Sequence, residues 1–373
     1  MDNLQLPGRL GNLDLQLEDD PRLDPRLLPL VQQQGMTKRM NGTKMNPSSP
    51  PDEITKVISY VDFYANRFHD TTPCHLSGDE DESEREVIIE QLTAQGRDGN
   101  EIQLHVFRSS GKDDRNDSIP TIIYMHGGSM VSTRTRNPTH DRWCTSLALA
   151  GAVVIAVDFR NAYGPAAYNP FPAGLNDCAD AIKYLASHRR ELRLAQSFVL
   201  TGESSGANLA LSTCLKAKRE CWLHEISGVF AISPYISNCW HKPRKWLLEN
   251  GLQSAVENDG FFTETSMCTL TAHYYTPTEE VKSDPLAWPY HASLADLEGL
   301  PPHVITVAEL DMLRDEAIAY ARKLRHAGVE VVCTTNVGAV HAAEMFRRFV
   351  PDLHYHVVGS IVDFATRLAR YET

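Results

Sequence analysis

What this chain lacks narrows its chemistry first. No C-x-x-C pair occurs, and the cysteines at 74, 144, 178, 214, 221, 239, 268 and 333 form no dense framework. That scatter excludes a zinc ribbon or disulfide scaffold and reads as reduced thiols. Neither H-E-x-x-H nor G-x-x-x-x-G-K-[ST] is present, so a metalloprotease helix and a phosphate loop are excluded. No metal and no cofactor is expected. No stretch approaches the roughly 18 apolar residues that span a bilayer. The start, Met-Asp-Asn-Leu-Gln-Leu-Pro, has no basic region or apolar core, so a cytoplasmic location is expected. Basic residues are in short supply, 36 against 48 acidic ones. A net charge of −12 argues against a nucleic-acid partner.

What is there describes an ordinary globular protein: 42% apolar and 23% charged residues in a chain of 373. Residues 1–53 are proline-rich and irregular, but their leucines and Met36, Met40 and Met45 point to a segment that packs on something. Helical apolar spacing follows over 54–68. Six of the eight residues from Asp79 to Glu86 are acidic and read as a solvated loop. Strands at 86–94 and 101–108 flank a turn at Gly96-Arg97-Asp98-Gly99-Asn100 and predict a hairpin. Apolar runs then lie at 120–125, 152–157, 197–201, 226–232, 303–307 and 329–334. Helical stretches near 140–150, 175–189, 207–219, 314–327 and 355–371 separate or follow them. That alternation predicts a parallel sheet covered on both faces. Residues 233–300 break the rhythm with Trp240, Trp246, Phe261, Phe262, Tyr274, Tyr275 and Trp288. A structureless loop of that length is implausible, so a helical lid inserted at the sheet's C-terminal edge is expected.

Four signals sit at predicted strand ends. His126-Gly127-Gly128-Ser129 follows Thr121–Met125, and a glycine pair there turns the backbone so that N–H groups can hold an oxyanion. Gly202-Glu203-Ser204-Ser205-Gly206 joins an apolar strand to a helix, the G-x-S-x-G setting that exposes a nucleophilic Ser204 and offers the Ser205 N–H as a further donor. Alone, the pentapeptide is a weak signal, expected by chance in about one chain in ten of this length. Asp311 follows the run Val304–Val307 and is preferred as the acid over Glu309 and Asp315, the latter reading as a helix N-terminal charge. Gly338-Ala339-Val340-His341 lies past the last strand and completes the order Ser, Asp, His. His303, His354 and His356 lack that placement. Ordered joint occurrence carries the argument.

These residues resemble the hormone-sensitive-lipase-like serine esterases of the α/β-hydrolase superfamily. The likeness rests on His126-Gly127-Gly128, on Gly202–Gly206 with Asn208, and on Asp311-Met312-Leu313-Arg314-Asp315-Glu316. Asp158-Phe159-Arg160-Asn161-Ala162 and Pro170-Phe171-Pro172-Ala173 support it, and the D-F-R-N-A form leans toward the brefeldin A esterase type. Asp284-Pro285-Leu286-Ala287-Trp288-Pro289 meets the family's D-P-x-x-S-P only in part. Ser129 replaces the third glycine of H-G-G-G, which makes the pocket narrower or more polar; Ser205 and Ala207 stand where Ala and Gly are usual. The resemblance implies an α/β-hydrolase fold, with a mostly parallel eight-stranded sheet flanked by helices. It implies a cap segment at 1–75, core at 76–234, a cap insertion at 235–290 and core at 291–373. It also implies short to medium acyl esters as substrates, without a cofactor.

The reading is a serine carboxylic-ester hydrolase of small-molecule esters, acting through Ser204, His341 and Asp311. N–H groups of Gly128, Ser129 and Ser205 hold the oxyanion, with Gly127 shaping the turn. Activity is expected to fall below about pH 6, as a histidine of ordinary pKa near 6.5 protonates. Short or medium acyl groups, or a bulky apolar substrate suggested by the aromatic lid, stay open beside the alternative that those aromatics merely pack the lid. A lactonase or amidase with the same triad, and more remotely a non-catalytic ligand receptor, stay open too. So does a homo-oligomer.

Overall fold

The computed structural model describes residues 6–40, 42–76, 86–110 and 119–370. The acidic run therefore lies, Glu86 apart, outside the described residues. Val87–Gln95 (β1) and Glu101–Ser109 (β2) form the hairpin, in register from Val87 opposite Ser109 to Gln95 opposite Glu101. Six further strands join it in the main sheet: Thr121–Met125 (β3), Val153–Asp158 (β4), Phe198–Glu203 (β5), Ile226–Ile232 (β6), His303–Ala308 (β7) and Val331–Asn336 (β8). They make one eight-stranded sheet in the order β1-β2-β4-β3-β5-β6-β7-β8. β2 runs antiparallel to β4, and every pair from β4 through β8 is parallel.

The main helices are Pro51–Thr71 (α1), Pro138–Ala150 (α2), Ala173–Ser187 (α3), Ser205–Arg219 (α4), Thr265–Tyr275 (α5), Arg314–His326 (α6) and Pro351–Arg370 (α7). They cover both faces, and the strand sequences divide accordingly. In β3, Ile122 and Tyr124 join one apolar cluster with Trp143 of α2 and Ile361 of α7. Ile123 and Met125 join the other with Ile182 of α3 and Leu211 of α4. β3 and β5 are buried along their whole length, as strands covered twice must be. β8 departs from that expectation. As the edge strand it has one neighbour, and Val332, Thr334 and Thr335 are exposed while Val331 and Cys333 are half-buried.

Two other segments lie near the C-terminal ends of the strands. The N-terminal stretch is held by its leucines: Leu17, Leu27, Leu30 and Val31 are fully buried in the cluster that contains Val340, Met345 and Phe346. The Asp24 N–H donates to the Gly338 carbonyl at 2.9 Å, and Arg22 bridges Asp20 and Glu257. The 233–300 interval is helical in short pieces, Arg244–Glu249, Ser254–Glu257, α5 and Leu294–Leu297. Its aromatics stack largely on one another. Tyr235 lies flat on Trp240 with centroids 4.2 Å apart, and Trp288 meets Trp240 and Tyr275 edge-on at 5.8 and 5.9 Å.

Candidate active site

The turn between β5 and α4 is strained where the sequence demanded it. Ser204 sits at φ +57°, ψ −119°, outside the regions that L-residues normally adopt. Its glycine neighbours explain how the chain gets there. A Cβ on Gly206 would lie 1.9 Å from the Met125 carbonyl oxygen, and one on Gly202 would lie 2.3 Å from the same atom. The elbow therefore rests backbone to backbone on the end of β3. Its other side is anchored by the Ser204 N–H donating to the Ile232 carbonyl at 2.9 Å, and by the Tyr235 N–H donating to the Ser204 carbonyl at 3.1 Å. Ser205 is fully buried at the first position of α4.

Asp311 and His341 leave the ends of β7 and β8 and meet. His341 Nδ1 is 2.7 Å from Asp311 Oδ2, and Asp311 is fully buried. The other carboxylate oxygen accepts the Leu313 N–H at 3.0 Å, which fixes the carboxylate plane. With Asp311 ionised, the bond needs the proton on Nδ1, and Nε2 becomes the free basic nitrogen. Burial alone would lower the imidazole's pKa, but the charge and hydrogen bond of Asp311 outweigh it, so the His341 pKa stands above the usual 6.5. The rival carboxylates are engaged elsewhere. Glu309 accepts the Gly338 N–H at 2.8 Å, and Asp315 accepts the Ser254 N–H at 2.6 Å. His303 bonds the Pro301 carbonyl, and the buried His354 sits between the Glu344 carbonyl and Ser146 Oγ.

The loop after β3 carries the other N–H groups expected as oxyanion donors. Gly128 is at φ +120°, where a Cβ would lie 2.2 Å from the Ser132 carbonyl oxygen, so only glycine fits. Ser129 and Met130 follow at φ +58° and +56°. The N–H groups of Gly128, Ser129 and Ser205 have no hydrogen-bond acceptor among the described residues. Gly127 differs: its N–H donates to Glu203 Oε1 at 2.6 Å. Gly127 therefore offers no free donor to an oxyanion, because a neighbouring carboxylate already holds it.

Ser204 and His341 line one cavity of about 520 Å³, together with Gly127, Gly128 and Ser129. Such a volume falls in the range of small-molecule sites, about 300–1,000 Å³. Its walls come from three places. Met36, Met40, Val57, Tyr60, Tyr64 and Phe68 belong to the N-terminal stretch and α1; Phe262 and Met267 to the insertion; Met345 and Phe346 to the segment after His341. Phe68, Phe262 and Phe346 form a triangle with centroids 5.7 to 6.0 Å apart. Of the seven aromatics that marked the insertion in the sequence, Phe262 alone lines this cavity; Trp240, Trp288 and Tyr275 pack within the core.

Three acidic residues matter here without having been singled out as site candidates. Glu203 was legible only as the variable position of the pentapeptide. It is buried, and burial pushes its carboxyl up to about 7. Glu316, which closes D-x-L-x-D-E, accepts the N–H groups of Ile236 and Ser237, Ser237 Oγ–H and the Trp240 indole N–H at 2.5 to 3.1 Å. It thereby ties the start of the insertion to α6. Glu344 is buried three residues after His341. Among the described residues no cluster of three or more His, Cys, Asp or Glu is arranged to hold a metal ion, and no helix is long and apolar enough to cross a membrane.

Comparison with known proteins agrees with this fold. Residues 122–345 match a family model described as the alpha/beta hydrolase fold. The structure superposes on that of brefeldin A esterase, a bacterial homologue of human hormone-sensitive lipase, with a TM-score of 0.93 and 40% identity over 98% of this chain and 99% of that one. It superposes on esterase Est22 with a TM-score of 0.81 and 31% identity, covering 94% and 99% of the two chains. In sequence it is 29% identical over 240 residues to the carboxylesterase NlhH of Mycobacterium tuberculosis, 63% of this chain and 70% of that protein. The chain belongs to the α/β-hydrolases and, among them, to the esterase family of hormone-sensitive lipase.

Proposed function

We propose that the protein is a serine carboxylic-ester hydrolase whose nucleophile, base and acid are Ser204, His341 and Asp311. The observation that carries this reading is the strained Ser204 at the wall of a cavity it shares with His341, whose other ring nitrogen is 2.7 Å from Asp311. In the first half-reaction Ser204 Oγ attacks the ester carbonyl while His341 Nε2 takes its proton. Asp311 stabilises the imidazolium that forms. The N–H groups of Gly128, Ser129 and Ser205 receive the oxyanion of the tetrahedral intermediate, and His341 returns its proton to the departing alcohol. Water then attacks the acyl-enzyme by the same route and frees the acid.

The N-terminal segment and the 235–290 insertion act as the cap, since each contributes a wall of the cavity. Apart from Ser204, His341 and the glycine loop, that wall is mostly methionine, valine, alanine, phenylalanine and tyrosine, with Thr133, Thr263, His69 and the buried Glu203 as its polar members. The substrate is accordingly an uncharged ester with an apolar acyl or alcohol group. A lactone or amide would meet the same triad, so the leaving group is settled by assay. Reaction with a fluorophosphonate followed by mapping of the adduct tests the reading. Modification at Ser204, loss of p-nitrophenyl acetate turnover in Ser204→Ala, and poor turnover of a matched anilide are expected. An adduct elsewhere, or undiminished turnover by Ser204→Ala, overturns it.

A further inference from the structure

The elbow delivers two side chains, not one. Both Ser204 and Glu203 line the cavity, and Glu203, the last residue of β5, also reaches the loop that follows β3. Its Oε1 accepts the Gly127 N–H at 2.6 Å and lies 3.5 Å from His140 Nε2. His140 is in turn fixed: its backbone N–H is capped by Asn137, and its ring is 5.4 Å from that of His126 in a stacked arrangement. His126 stacks on Phe159 at 4.4 Å. Glu203 is thus clamped between the loop and a packed aromatic wall.

That loop needs clamping. Ser129 and Met130 both hold positive φ, a conformation that is costly for residues with a side chain and persists only where contacts over-determine it. On its far side the loop is held by several bonds: Ala162 N–H to the Met130 carbonyl, Tyr163 N–H to the Val131 carbonyl, and Thr133 N–H to Asp62 Oδ1. On the near side, where the proposed oxyanion donors lie, the Glu203 bond is, among the described residues, the single side-chain hydrogen bond from the elbow to residues 127–129. The fit there is close. A Cβ on Gly127 would lie 3.1 Å from Glu203 Oε1 and 3.3 Å from the Ser204 Cβ.

We propose that Glu203 is a positioning residue for the oxyanion loop: its carboxylate holds the Gly127 amide, and through it sets the Gly128 and Ser129 N–H groups relative to Ser204. The inference rests on the esterase reading above. Its requirement is an acceptor oxygen at that reach, not a negative charge. A full charge beside a developing oxyanion would oppose it, and the raised pKa of the buried carboxyl lessens that conflict near neutral pH.

Three variants test it in the full-length protein with p-nitrophenyl acetate. Glu203→Gln keeps the size and an amide oxygen for the Gly127 N–H, so kcat should stay within about threefold of the parent. Glu203→Leu removes the acceptor, and Glu203→Asp withdraws it by one methylene. Both should lose kcat, the leucine variant by about 10²-fold or more, the scale of a lost or misplaced oxyanion donor. KM should change by less than about threefold, because ground-state binding lies in the apolar cavity. Fluorophosphonate labelling of Ser204 should slow in parallel. A purely structural role would lower the melting temperature and leave kcat of the folded enzyme intact. Unchanged kcat in Glu203→Asp, or an equal loss in Glu203→Gln and Glu203→Leu, overturns the proposal. If Glu203→Leu fails to fold, the Asp and Gln pair still decides. Failure of the esterase reading is distinguishable, since it shows as absent turnover and labelling in the parent enzyme.

Discussion

His341 Nδ1 lies 2.7 Å from Asp311 Oδ2, although one residue follows the edge strand and the other follows its neighbour. Parallel pairing of β7 and β8 brings the two strand ends level, with Asn336 opposite Ala308. Replacing Asp311 by Asn should therefore leave the fold largely intact and lower kcat by about 10⁴-fold, through the wrong imidazole tautomer. Asp315→Asn should change kcat little, because its carboxylate holds Ser254 instead. Steady-state kinetics on the two purified variants checks the contrast.

The pH profile follows from the same pair. His341 must be neutral to accept a proton, and its pKa is raised, so the acid limb of kcat/KM should fall at a pH above 6.5. This is higher than an isolated histidine would give. Below that limb the imidazolium cannot serve as base, and activity declines as pH drops. Asp311→Asn removes the cause of the shift and should move the limb of its residual activity to lower pH. The limb should persist in Glu203→Gln, which lacks the carboxyl lining the cavity that burial pushes up to about 7. A profile flat down to about pH 4 contradicts the assignment of the base.

Much of this was legible in the sequence because the decisive signals are local. Gly202 and Gly206 flank the serine within one turn, and the contacts that a Cβ would make with Met125 explain both glycines directly. The strands announced themselves as apolar runs, since most are buried on both faces. β8 did not conform, because an edge position cannot be read from one segment's composition. Glu203 was hidden for a different reason: its partners Gly127 and His140 come from distant stretches that only the sheet order brings together. The raised pKa of His341 likewise requires knowing that Asp311 is fully buried beside it. The aromatics of the insertion could be read either as substrate contacts or as packing, and folding separates Phe262 from the rest.

Gly128→Ala should be more damaging than its size suggests. The added Cβ would lie 2.2 Å from the Ser132 carbonyl oxygen at a φ of +120°. The loop must shift, and the Gly128 and Ser129 N–H groups shift with it. A fall in kcat of at least about 10²-fold is expected, matching the effect of losing an oxyanion donor. Parallel slowing of fluorophosphonate labelling would place the defect in the chemical step, whereas a change in KM alone would contradict the loop's role.

The cavity wall predicts selectivity. Val57 faces the cavity from α1, and Val57→Phe reduces the space available to an apolar chain. The ratio of kcat/KM for p-nitrophenyl octanoate over acetate should fall by about tenfold or more, within the 1–3 kcal/mol that pockets exert per methylene-scale change. An unchanged ratio would mean that the acyl chain lies away from α1.

The triangle of Phe68, Phe262 and Phe346 has a consequence for how the protein acquires activity. Its corners belong to α1, the insertion and the segment before α7, so this wall of the cavity closes only when α1 and the segment around Phe346 have met. Long-range closures of this kind are late and slow, since the loop entropy is lost before the contacts form. A chain with its sheet and serine elbow formed but these three rings still apart would present an open cavity. Turnover of apolar esters would then report on the meeting of these three segments as well as on the elbow.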